Sequence, residues 1–240
     1  MKPAGLIDTL PAHCQQLVHQ IEGASNLEVE VLSEADFRAQ TTEPVFGDVF
    51  EGKPGAVADF DKAFVLYPGD SNALNIDEYH HELMHLYLKL VRREPLLVTP
   101  DTKFSQFAAY LDNQVEHLVI YAEQHRHSQQ WRRDEESALR KFWEKYPDIG
   151  AEADLVRFHG IHRYFITREY APALTEMAKR RLRGPNHLQM AHQGWQSLKA
   201  VFPDKVSLLR LSLEFANEPL DRYQLRGLDL RGRRRHEIHL

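Results

Sequence analysis

The sequence predicts an α+β fold that is predominantly α-helical. A small N-terminal sheet packs on a helix carrying an HExxH pattern, and a helical lobe follows. Three observations predict this. Segments that read as strands, Leu27–Leu32 and Lys62–Tyr67, fall in the first third of the 240 residues. Leu74 to Val91 is apolar around most of a helical circumference, and helical spacing dominates from Asp101 to about residue 216. The expected organisation is residues 1–127 for the sheet, the HExxH helix and the helix after it, then 128–216 for the lobe, then 217–240 as a basic hairpin or docked tail.

Residues 11–22 have the spacing of a short helix. Leu27-Glu-Val-Glu-Val-Leu32 alternates as a half-buried strand does, and Ser33-Glu-Ala-Asp-Phe37 has the form of a capped helical turn. Pro44, Gly47, Gly52, Pro54 and Gly55 mark residues 41–58 as a long loop. Lys62–Tyr67 is the second strand, closed by the turn signal Pro68-Gly69-Asp70, with Ser71 and Asn72 as N-cap oxygens for the next helix. A strand beside such a helix is where an extended peptide adds by backbone pairing. After a connector containing Pro95 and Pro100, Phe104, Phe107, Leu111, Val115, Leu118 and Ala122 set a long helix to about Arg126. Helices are expected over 130–145, 151–164, 169–183, 187–201 and 205–216. The end of the chain alternates around Leu225, Leu228, Leu230, Ile238 and Leu240, and carries six arginines from Arg222 to Arg235. That run reads as a solvated turn, with an acidic partner as the alternative.

Composition narrows the function classes. Charged residues make up 27% and hydrophobic ones 42%, as in ordinary globular proteins. No apolar run reaches the ~18–20 residues a bilayer span requires, and no signal-peptide core is present, so a cytoplasmic protein without a membrane partner is expected. The single Cys14 excludes an internal disulfide and a cysteine zinc cage. A net charge of −5 argues against a nucleic-acid partner.

His81-Glu82-Leu83-Met84-His85 carries the chemistry. On a helix it places two imidazoles one turn apart on one face, as a pair of zinc ligands requires, with Glu82 placed to take a proton from metal-bound water. Two histidines and a glutamate inside so apolar a helix are costly without partners, and Zn2+ satisfies all three. The competing reading makes His81 and His85 core histidines bonded to backbone carbonyls.

A catalytic zinc usually takes three protein ligands. The third is expected from the next helix, where Glu116 follows His85 by 31 positions, enough for a connector and an antiparallel return. Helical-wheel placement favours Glu116 over His117, which points to the other side, though both remain open. Asp112, Asn113, His117 and Asp77 are the candidates for orienting the ligands. His80 reads as a packing residue. Donors for a developing oxyanion are sought among His159, His162 and Tyr164, with Tyr121 and Tyr170 as weaker candidates.

The strand at Lys62–Tyr67, the motif His81–His85 and a helix supplying Glu116 together resemble the zincin-like metallopeptidase superfamily, in its glutamate-liganded branch. The spacing is loosely similar to ImmA/IrrE-type domains. The resemblance covers about residues 60–126 and implies zinc-dependent hydrolysis of a peptide or protein substrate, with Glu82 as general base. The alternative is a zincin-like binding or regulatory module whose metal is structural or vestigial.

Overall fold

The computed structural model describes residues 10–40, 54–67, 75–149, 153–183, 186–229 and 234–238. The fold is α+β and predominantly helical, with nine α-helices and six strands among the described residues. Two compact units are present: Met1–Pro95 with Gly227–His236, and Leu96–Arg226 with Glu237–Leu240. No helix among the described residues is long and apolar enough to cross a membrane.

In the first unit, helix α1 (Ala12–Ser25) buries Cys14, Val18 and Ile21, and ends at Asn26 in the left-handed conformation that a short amide side chain tolerates. Strand β1 (Glu28–Ser33) runs into helix α2 (Glu34–Arg38), whose N-cap is the Ser33 hydroxyl accepting from the Asp36 amide at 3.0 Å. Strands β2 (Gly55–Ala58) and β3 (Lys62–Tyr67) complete the sheet in the order β1-β3-β2, with β1 parallel and β2 antiparallel to β3. β3 is thus the central strand, and among the described residues β1 and β2 are the outer ones, β2 lying within a stretch that the sequence reads as loop. Gly-Ala-Val-Ala is too short to show alternation, and pairing with β3 rather than local propensity makes it a strand.

The central strand is buried on both faces, which explains why Ala63-Phe-Val-Leu66 reads as a continuous apolar run. Phe64 and Leu66 pack with Phe37 of α2, the two aromatic rings edge-to-face at 5.1 Å. Alternation turns Ala63 and Val65 to the other face. Helix α3 (Ile76–Leu86) packs against β2, β3 and α1. Its N-cap is Asn75, whose side chain accepts from the Asp77 amide at 3.0 Å, so the cap lies a few residues beyond Ser71 and Asn72. Those two residues, the turn at 68–70 and the loop at 41–53 lie outside the described residues.

The helix continues as a π-helical turn from Tyr87 to Val91, closed by Arg93 at φ 56°. A π turn immediately after an HExxH pattern is notable, because such turns concentrate at functional positions. α1 packs on this turn, where Leu88, Lys89 and Leu90 are buried.

In the second unit, the connector expected as irregular holds strand β4 (Leu96–Val98), which pairs antiparallel with β5 (Gln224–Asp229). In strand order β6 (Arg234–Ile238) is next to β5, so the described part of the stretch expected as a hairpin or docked tail is strand. Helices α4 (Ser105–His127), α5 (Gln129–Lys145), α6 (Ala153–Tyr170), α7 (Thr175–Arg181), α8 (His187–Val201) and α9 (Lys205–Phe215) build the lobe. Its core joins Leu111, Val115 and Leu118 of α4 to Phe158, Ile161 and Phe165 of α6 and Leu208, Leu209 and Leu213 of α9. Trp143, Tyr146 and Tyr164 centre a second cluster, in which the Trp143 indole donates to the Thr167 hydroxyl at 2.9 Å. α8 approaches α6 closely at Gly194, where a Cβ would meet Ile161 Cγ2 at 2.4 Å.

Candidate metal centre

His81 and His85 lie one turn apart on α3, and their Nε2 atoms are 3.2 Å from each other. A tetrahedral zinc with Zn–N of about 2.0–2.1 Å spaces two ligand nitrogens about 3.3–3.4 Å apart. The pair therefore already has the edge length of a tetrahedral site. Its rings are steeply inclined, 69° between planes with centroids 5.0 Å apart, so each points a nitrogen at a common region rather than stacking. His85 is buried and His81 half-buried.

Among the described residues, His81, His85 and His117 of α4 are the group whose ligand atoms all lie within 4.8 Å of one another and that could hold a metal ion. His117 is half-buried, and its ring stacks on that of Tyr121 one turn later, 16° from parallel with centroids 5.3 Å apart. The sequence favours Glu116 for this place, but the gathered group contains its neighbour. Adjacent residues on a helix diverge by about 100°, so only one of the two can face a given point. Glu116 is 3% exposed, and its Oε1 accepts from Lys205 Nζ of α9 at 2.5 Å.

Lys205 also pairs with Asp112 Oδ1 at 2.8 Å, and the same oxygen accepts the Leu97 amide of β4 at 3.0 Å. Burial opposes the ammonium charge, but the Asp112 and Glu116 carboxylates outweigh it and raise its pKa above the ordinary lysine range. Asp112 and Glu116 thus tie α4, α9 and β4 together. Lys205 carries no sequence signal that announces this role, because a lysine at the first position of a helix reads as solvated.

Of the other residues singled out from sequence, Glu82 is half-buried on α3, about 60° around the helix from His85. Asp77 is half-buried in the first turn of the same helix. Asn113 is exposed on α4. His80 is buried edge-to-face against His13, centroids 4.8 Å apart, in a packing role.

The expected oxyanion donors separate. Tyr164 is 1% exposed inside the Trp143 cluster, its hydroxyl accepting from Arg168 at 3.4 Å. His162 is equally interior, with Nε2 2.8 Å from the Ser212 hydroxyl and no hydrogen-bond partner for Nδ1. Both belong to the core, and neither is presented to a cleft. His159 is half-exposed, as is Tyr170, and its ring nitrogens are 3.1 and 3.3 Å from the Tyr110 hydroxyl.

Burial, with His159 and Arg163 nearby, pushes His162 down to about 3, and burial and Arg163 push His159 down to about 4. Each is neutral in the fold but protonated in the unfolded chain below about pH 6.5. The unfolded state therefore binds the extra protons, and stability present above about pH 6.5 is lost as pH falls towards these values. Glu135, pushed up to about 7 mainly by burial, acts oppositely between about 7 and 4.5, where the fold binds its proton first. One excess proton then remains on the unfolded side, a net slope of about 1.4 kcal/mol per pH unit. Replacing His162 by Leu together with Ser212→Ala is expected to flatten that slope between pH 6.5 and 4.5, measured as urea midpoints. An unchanged slope assigns the acid sensitivity to other groups.

Comparison of the chain with protein-family models, curated proteins and solved structures returns no match, so the centre stands on its own geometry.

Proposed function

We propose that the chain is a metal-dependent hydrolase in which His81, His85 and His117 hold Zn2+ and the substrate is a peptide or protein. The 3.2 Å separation of the His81 and His85 Nε2 atoms, with Glu82 between them in sequence, carries the reading. Three imidazoles are a donor set suited to zinc, and a fourth position is left for water. Zinc supplies a water of lowered pKa and a Lewis acid for the scissile carbonyl.

The chain's own residues supply the rest. His81 and His85 present their Nε2 atoms from a helix anchored by the buried Tyr79, Leu83, Met84 and Leu86. The Tyr121 ring beneath His117 fixes that imidazole's plane. Glu82 takes the proton of the attacking water and delivers it to the leaving amine. The peptide as substrate class rests on the resemblance of His81–His85 and its preceding strand to zincin-like domains.

The test is elemental analysis of untagged protein followed by a peptide-library digest. About one equivalent of zinc per chain is expected. Glu82→Gln is expected to keep that zinc and the fold while losing cleavage. Protein that takes up no stoichiometric divalent metal after loading refutes the centre. Full zinc with no cleavage by the unaltered protein favours the binding-module alternative.

A further inference from the structure

Between α6 and α8 lies a cavity of about 130 Å³, walled by the buried Gly160, Ile161, Leu182 and Ala191 and by Tyr146. An apolar cavity of about 150 Å³ holds a benzene ring, so this one has room for a single ring or a short branched chain. Arg157, His187 and Met190 also line it, and no carboxylate does so among the described residues.

Polar capacity at these walls is unused. Tyr146 is 2% exposed, and its hydroxyl makes no hydrogen bond among the described residues. A Cβ on Gly160 would come within 2.6 Å of that hydroxyl, so the glycine is what leaves room for the phenol at the cavity wall. Burial raises the Tyr146 pKa above the ordinary phenol range, and the group stays a hydrogen-bond donor at neutral pH. A donor this interior is costly to leave unpaired.

Arg157 stands three residues before Gly160, on the same face of α6. Its guanidinium donates to the carbonyl of Phe215 at 2.6 Å and to that of Glu214 at 3.2 Å, at the end of α9. These neutral acceptors fix the side chain, and no carboxylate pairs with it among the described residues. α8 begins at His187 without a side-chain cap from Asn186, so the positive end of its dipole lies at the same wall. A fixed cation, a phenol donor and an apolar floor suit an organic anion.

We propose that this cavity binds a small monocarboxylic acid whose body is a single aryl ring or a short branched chain, with its carboxylate held between the Tyr146 hydroxyl and Arg157. The body rests on Ile161, Leu182 and Ala191. None of the lining residues belongs to the candidate metal group, so the site is independent of the hydrolase reading.

Equilibrium dialysis of the full chain, zinc-loaded and chelator-treated, against benzoate, benzamide and inorganic phosphate tests this. Benzoate is expected to bind about tenfold or more tightly than its neutral isostere benzamide, equally with and without zinc. Phosphate, which has no apolar body, is expected to bind more weakly than benzoate by about tenfold or more. Tyr146→Phe keeps the ring and removes only the hydroxyl, and should weaken benzoate about fivefold with an unchanged melting temperature. Arg157→Gln should abolish the preference for benzoate over benzamide. No retention of benzoate at millimolar concentration overturns the proposal, as does equal retention of benzoate and benzamide. Retention that requires zinc, or that is unchanged in both variants, places the anion elsewhere and overturns it too. Phosphate held as tightly as benzoate removes the apolar body from the recognition and overturns the assignment of an organic acid.

Discussion

Replacing Lys205 by methionine is expected to cost about 3–5 kcal/mol of folding stability, the range for removing one partner from a buried ion pair. The ammonium is 3% exposed and lies 2.8 Å from Asp112 and 2.5 Å from Glu116, so its removal leaves two carboxylates beside each other out of water. Against a total of roughly 5–15 kcal/mol this is a large fraction. Denaturant midpoints at pH 7 measure it. Lys205→Met combined with Asp112→Asn and Glu116→Gln should recover most of it, since an uncharged set of similar volume removes the desolvation problem. A single variant as stable as the parent would show that the triad contributes nothing net to the fold.

The elements of both units were legible to different degrees for identifiable reasons. β3 and α8 have the bounds the sequence suggests, because a Pro-Gly turn or a Gly-Pro pair stands beside a strong apolar pattern. β2 and β4 were not legible, being four and three residues long and dependent on partners distant in sequence. The two histidines of α3 were legible because their spacing maps directly onto one helix face. Whether Glu116 or His117 stands near them was left open by the sequence, since it depends on how α4 is rotated, and that is decided by packing. Leu111, Val115 and Leu118 turn to the lobe's core while Asp112 and Glu116 turn to Lys205, a residue 89 positions away from Glu116.

Under the proposed ligand set, His117→Ala and Glu116→Gln should have opposite signatures. His117→Ala removes a nitrogen from the group of three within 4.8 Å and is expected to weaken zinc by more than the roughly 10–100-fold that follows from losing an outer-shell partner. Its fold should be little affected, since His117 is half-buried and ends on the Tyr121 face. Glu116→Gln instead removes a charge that Lys205 needs, and is expected to lower the denaturant midpoint while zinc stoichiometry holds. Zinc affinity by competition with a chromophoric chelator and urea midpoints on the same samples separate the two. Cobalt substitution adds a direct reading, because a three-nitrogen site keeps its spectrum in Glu116→Gln but not in His117→Ala. If Glu116→Gln loses the metal and His117→Ala keeps it, the ligand is the carboxylate. Lys205 then has to release it on loading, and the buried triad is the metal-free arrangement of α4 and α9.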